Sequence, residues 1–140
     1  MKRRKPTLTH EDYVALAAFR YELRKFLRFS KDFLASRGQL TPEQYETLLA
    51  IKAHSPGKRL TIGQLSERLQ VRHHTTVSLI DSLAAQGLLA RKRAMMDRRQ
   101  VFVQLTALGR RLLEDVAGVH RKELRQRAQE MIKALRRLTK

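Results

Sequence analysis

The side chains best placed to do chemistry in this chain are cations. Arg91, Lys92, Arg93, Arg98 and Arg99 fall within nine positions of the stretch LLARKRAMMDRRQVFVQLTALG, residues 88–109, interrupted by Met95, Met96 and Asp97. Like charges packed this closely repel one another, so the arrangement makes sense only beside a polyanion. The whole chain leans the same way. Its 140 residues carry 30 Lys+Arg against 13 Asp+Glu, a formal net charge of +17. Duplex DNA, RNA and an anionic membrane are the partners such a charge implies.

Other reactive residue types are sparse. His73 and His74 are adjacent, and on a helix neighbours diverge by about 100°, so one metal rarely takes both. There is no helical His-x-x-x-His pair and no cysteine. Disulfides, thiolate catalysis and cysteine-based redox sensing are therefore excluded within this sequence. No glycine-rich phosphate loop or nucleophile motif is present. The expectation is a protein that is not an enzyme and has no metal or cofactor. His120 and Glu123 read as an ordinary exposed pair on one helix face, and Met95 and Met96 as surface methionines.

The elements that must position the cations follow from periodicity and capping signals. Residues 1–8 are basic, contain a proline and read as a flexible arm. Thr9 with Asp12 resembles a capping box, and Leu16, Phe19, Leu23, Phe26, Ser30 and Phe33 then recur in steps of three and four, a heptad-like stripe. This first long helix, 9–38, is expected to stop at Gly38, since glycine suits a left-handed terminus. The aromatic stripe Phe19, Phe26 and Phe33 reads as core or interface more readily than as the lining of a ligand cleft.

Thr41-Pro42-Glu43-Gln44 opens a second helix, which Ser55-Pro56-Gly57 closes. Thr61 with Gln64 opens a short third helix. A tight connection at Gln70-Val71-Arg72 leads to a fourth, from His73 to Gln86, with Thr76, Leu79, Ile80 and Leu83 facing the core. Gly87-Leu88 resembles a Schellman stop. Two strands near 88–92 and 100–105 enclose the arginine-rich loop, and Thr106 caps a last long segment. That segment carries two apolar stripes whose register breaks beside Gly118, which predicts a kink or two consecutive helices.

The fold class is thus mainly α with a small β-hairpin wing. It is a winged helix-turn-helix at 41–105, flanked by long helices at 9–38 and 106–140. In such a unit the second helix of the motif can enter a major groove, and the arginine-rich wing tip can reach the adjoining minor groove. The flanking stripes exceed what one small unit can bury. Leu16, Phe19, Leu23 and Phe26 at one end, and Leu124, Ala128, Met131 and Leu135 at the other, predict an isologous homodimer.

Residues 60–109 also resemble the MarR-type transcriptional regulators. The resemblance rests on the short helix before the turn, Leu79-Ile80-Asp81 with Leu83, and Gly87-Leu88 with the following Arg91. It extends to the Asp97-Arg98-Arg99 wing signature and to Leu105-Thr106 with Gly109. LTPEQYETLLAI at 40–51 is similar to the helix before the motif in that family. The resemblance implies a homodimer held by its N- and C-terminal helices, binding double-stranded DNA at a pseudo-palindromic operator. It implies a repressor released by a small aromatic effector. Separately, the basic start MKRRKP is followed by no apolar run and no stretch nears the roughly 18 apolar residues of a membrane span, so a cytoplasmic location without a membrane partner is expected.

By position it assigns base and backbone contacts on the recognition helix to Arg72, His73, His74, Thr75, Val77 and Ser78. Wing contacts fall to Arg91, Arg93, Asp97, Arg98 and Arg99, with Asp97 orienting Arg99, and the dimer interface includes Leu16, Phe19, Leu23, Leu124, Met131 and Leu135. Two departures stand out. Arg72 occupies the place of a capping serine or threonine, and the usual Pro-containing or acidic loop is missing from the C-terminal segment. A non-specific architectural nucleic-acid binder is the alternative reading. A small-molecule or enzymatic domain with incidental basic charge is a third.

Overall fold

A computed structural model describes residues 7–54, 59–93 and 101–140. The chain runs α1 (His10–Phe33), a π-helical turn (Leu34–Gly38), α2 (Pro42–His54), α3 (Ile62–Leu69), α4 (His73–Ala85), β1 (Leu89–Arg93), β2 (Val101–Leu105) and α5 (Ala107–Leu138). It divides into two compact units: residues 33–118, and residues 1–32 with 119–140.

Capping chemistry accounts for the element starts. Thr9 Oγ1 accepts from Asp12 N at 3.2 Å while the Asp12 carboxylate accepts from Thr9 N at 3.0 Å. The same reciprocal pair forms between Thr41 and Gln44 and between Thr61 and Gln64. Each satisfies two backbone donors that a helix start would leave bare. The end of α4 is a Schellman turn, with Leu88 N donating to Leu83 O, Gly87 N donating to Ala84 O, and Gly87 at φ 76°.

The first helical segment ends at Gly38 as the sequence expects, but not through a left-handed glycine. The left-handed residue is Gln39, at φ 52°, and not Gly38. The last turn widens to a π-helix, in which Gln39 N and Leu40 N both reach Leu34 O. Leu34 and Leu40 are thereby both buried, which a stop one residue earlier would not achieve.

In unit 33–118 the core is continuous. Leu34, Leu48, Leu65, Ile80 and Leu83 are fully buried, and Leu88, Leu89, Val103, Leu105, Leu113 and Val116 close around them. Burial also pushes the Tyr45 phenol above its usual pKa. β1 and β2 pair antiparallel from Leu89↔Leu105 to Arg93↔Val101, and Thr61 bridges to Phe102 on the other side.

In the other unit α1 and the C-terminal half of α5 carry charged contacts. Arg127 Nη2 lies 2.8 Å from Glu123 Oε1, and its Nη1 lies 3.6 Å from Glu22 Oε2. Arg137 lies 3.6 Å from Asp12. Two consecutive helices are not formed at Gly118, because α5 is one continuous 32-residue helix. A single glycine costs a helix about 1 kcal/mol relative to alanine, too little to interrupt one buried on both sides at Val116 and His120.

His120 itself corrects the surface reading. It is 4% exposed, hydrogen-bonded to buried Ser30 across 2.7 Å, and edge-on to the rings of Phe26 and Phe29. Glu123, one turn on, is half-buried against Arg127. No helix among the described residues is long and apolar enough to cross a membrane.

Candidate nucleic-acid interface

The helix-turn-helix is fixed by small polar contacts beneath its outer face. Gln70 adopts φ 56° at the end of α3, and its N–H returns to Glu67 O, so the chain reverses within three residues. Ser66 Oγ donates to Thr76 Oγ1 at 2.8 Å, tying α3 to α4, and Gln44 Nε2 donates to Ser82 Oγ at 2.9 Å, tying α2 to α4. Thr76, Ile80 and Leu83 bury one side of α4, leaving the opposite side free.

That free side sorts the sequence candidates. Arg72, His73, His74 and Ser78 are exposed, whereas Thr75 and Val77 are half-buried flanks. His74, Ser78 and Asp81 follow at steps of four and three, so they form one strip along the helix. Arg72 is the N-cap residue and makes no side-chain cap bond, as its departure from a capping serine or threonine suggests. The first N–H groups of α4 are left without a side-chain cap, at the end where a phosphate oxygen is best received.

The hairpin is held beside this strip. Arg91 on β1 forms an ion pair with Asp81 on α4. The pair ties the hairpin to α4, while Lys92 and Arg93 stand exposed without a carboxylate partner among the described residues. Asp81 was legible only as part of a motif, and its role as the anchor of Arg91 emerges from the fold. At the base of the hairpin Thr106 Oγ1 donates to Gly87 O at 2.6 Å and accepts from Gly109 N at 3.0 Å. Gly109 is required there, because a Cβ would lie 2.2 Å from Leu88 O. Asp97, Arg98 and Arg99, with Met95 and Met96, lie outside the described residues. Among the described residues no group of three His, Cys, Asp or Glu side chains could hold a metal.

The predicted dimer residues occupy the other unit. Leu16, Leu124 and Leu135 are exposed, at 42%, 39% and 43%. Phe19, Leu23, Phe26, Ala128 and Met131 are half-buried.

Residues 39–100 match the model of the MarR family. The chain is 30% identical over 86 residues to the organic hydroperoxide resistance transcriptional regulator of Bacillus subtilis, covering 61% of this chain and 56% of that protein. The alignment thus spans little more than half the length of that curated relative. Among solved structures, MepR, a transcription regulator of the Staphylococcus aureus multidrug efflux pump MepA, superposes with a TM-score of 0.75 at 20% identity. That match covers 94% of this chain and 97% of MepR. An S. aureus MepR–DNA complex matches with a TM-score of 0.69 at 21% identity, covering 95% of this chain and 98% of that one. The likeness to the MarR family thus rests on residues 39–100, a segment that holds α2, α3, α4 and β1.

Proposed function

We propose that the chain is a sequence-specific DNA-binding transcriptional regulator. It acts as a homodimeric repressor on a pseudo-palindromic operator, released by a small aromatic effector. The observation that carries the reading is the outer strip of α4. His74 and Ser78 stand exposed beside a hairpin anchored to the same helix through Arg91 and Asp81. In the major groove such a strip meets base edges, with Arg72 and the α4 N-terminus on a flanking phosphate. Arg93 at the end of β1 follows the hairpin toward the neighbouring groove, and the wing contacts expected of Asp97, Arg98 and Arg99 belong to the same reading. MepR, a chain of this fold, has been solved in complex with DNA, which supports a DNA-binding reading.

The dimer reading is supported by the apolar residues left exposed on α1 and α5, which a second copy would cover. The Bacillus subtilis relative is named for organic hydroperoxide resistance. With no cysteine in its 140 residues, this chain has no thiol through which to sense a peroxide. An aromatic effector that binds without covalent chemistry is the alternative we adopt.

Selection of bound fragments from genomic DNA, followed by competition with bulk DNA, tests the reading. A sequence-reading regulator prefers its site by about 10³-fold or more. Equal affinity for all sequences overturns it in favour of an architectural protein. On the selected site the log–log salt slope should lie between roughly −5 and −9 if six to ten phosphates are contacted. Titration with small phenols should then release the DNA at saturating effector.

A further inference from the structure

The surplus of positive charge is not concentrated on the winged unit. Residues 1–32 and 119–140 hold 17 Lys+Arg against 6 Asp+Glu, a net +11, whereas residues 33–118 hold 13 against 7, a net +6. On α1 this charge is ordered. Arg20, Arg24, Arg28 and Lys31 follow at steps of four, four and three, and all four are exposed. At about 100° per residue they fall within roughly 80° of the helix circumference, over about 16 Å of its length. Tyr13 and Tyr21 are exposed on the same side, and Lys25 Nζ lies 4.8 Å from the centre of the Tyr21 ring.

We propose that this face of α1 is a second phosphate-binding surface that takes the backbone of duplex DNA independently of base reading by α4. Like charges at i and i+4 destabilise a helix, so an unbroken run of them on one face needs a reason. α1 carries four carboxylates: Glu11, nine residues before Arg20, and three others, two of which are used elsewhere. Asp12 is engaged by Arg137, and Glu22 by Arg127. Asp32, at the C-terminal end of the run, is the exception on the basic side. None of the four cations has a carboxylate partner among the described residues.

A straight row of cations matches a duplex, which presents a negative charge per about 1.7 Å of axis. Arginine outnumbers lysine three to one in the row, and its planar fork matches phosphate oxygens in pairs. The choice of DNA over another polyanion rests on the function proposed above. The surface itself does not.

The test uses the full chain and a 60-base-pair duplex of random sequence. In Arg20→Gln/Arg24→Gln/Arg28→Gln the log–log salt slope should become shallower by about two to three, at roughly 0.9 per phosphate. Affinity at moderate salt should fall at least tenfold. The Arg→Lys triple should retain most of the binding. Arginine-directed modification of the unaltered chain, with and without duplex, should show protection at the same three residues, a readout that needs no variant to fold.

An unchanged slope, or no protection, overturns the proposal. So does a Gln triple that sediments as a smaller species, because the row would then belong to a protein interface. Preferential loss of binding to vesicles containing phosphatidylserine, with DNA binding intact, overturns it in favour of a membrane surface. If α4 reads no sequence, random-duplex binding and protection on α1 persist while preference for a selected site is absent. The two proposals therefore fail separately.

Discussion

The two compact units dispose of their apolar residues in opposite ways. In residues 33–118, five large or branched aliphatic side chains are fully buried. In the helical unit the buried residues are Ala15, Ser30, His120 and Ala134, two small and two polar. The large apolar residues there face outward: ten of the twelve exposed in the described chain belong to α1, its lead-in or the C-terminal half of α5. One unit is a finished core, and the other leaves apolar surface that the second copy proposed above would cover. In the proposed dimer, binding geometry would depend on the second as much as on the first, since the spacing of two α4 helices on DNA would be set by how the helical units pair.

The comparison is broken most severely by charging the open face. Leu135→Asp should dissociate the proposed dimer, because a carboxylate buried there has no partner. Loss of the second half-site contact should lower operator affinity by about 10²- to 10⁴-fold. Sedimentation at micromolar concentration, paired with operator titration, reads both effects. A wild-type monomer that holds a half-site tightly contradicts the dimer reading.

Truncation in the closed core gives a different signature. Leu83→Ala should cost about 2–5 kcal/mol, independently of protein concentration, because Leu83 has no exposed surface to lose. Leu124→Ala should cost little at high dilution and more as concentration rises, because its burial would require association. Thermal melts across a hundredfold concentration range separate the two. Identical behaviour would erase the distinction between the units.

A smaller effect is expected where the hairpin joins α4. The Arg91–Asp81 pair is solvent-exposed, so Arg91→Ala should change stability by less than about 1 kcal/mol. If the pair aims the hairpin, operator affinity should nonetheless fall several-fold. Asp81→Ala should do the same, and the double variant should be no worse than either single one. Additive losses would mean that Arg91 touches DNA directly.

What the sequence made legible was local. Capping pairs such as Thr61–Gln64 and the Gly87-Leu88 turn can be read because donor and acceptor lie within a few residues of each other. Strand and helix bounds followed to within about a residue for the same reason. Non-local partners were not legible. His120 looked exposed because its neighbours in sequence are charged, yet its partner Ser30 lies 90 residues away. The signal was on the other helix: a serine inside an apolar stripe implies a polar group facing it. Likewise the ion pair of Arg91 with Asp81, ten residues away on another element, was not legible from the sequence.

The smallest effect sharpens the comparison at the outer end of α1. The Thr9 backbone N–H holds the Asp12 carboxyl below its ordinary pKa, an effect that partial burial opposes and that the Thr9 side chain and Arg137 reinforce. A carboxylate whose folded pKa is depressed adds stability above its unfolded value, near 3.9, and loses it as pH falls through the folded value. Acidification below about pH 4 should therefore loosen the first turn of α1, and Asp12→Asn should remove that part of the acid response. The site is solvent-exposed, so the change is confined to helix fraying and should leave the core of residues 33–118 intact. Amide hydrogen exchange between pH 3 and pH 5 measures it residue by residue. Lower protection at Asp12 and Tyr13 in acid, once the intrinsic fall of exchange rate with pH is divided out, with Ile80 and Leu83 unchanged, is the expected pattern. Uniform loss of protection across both units would show instead that they open as one.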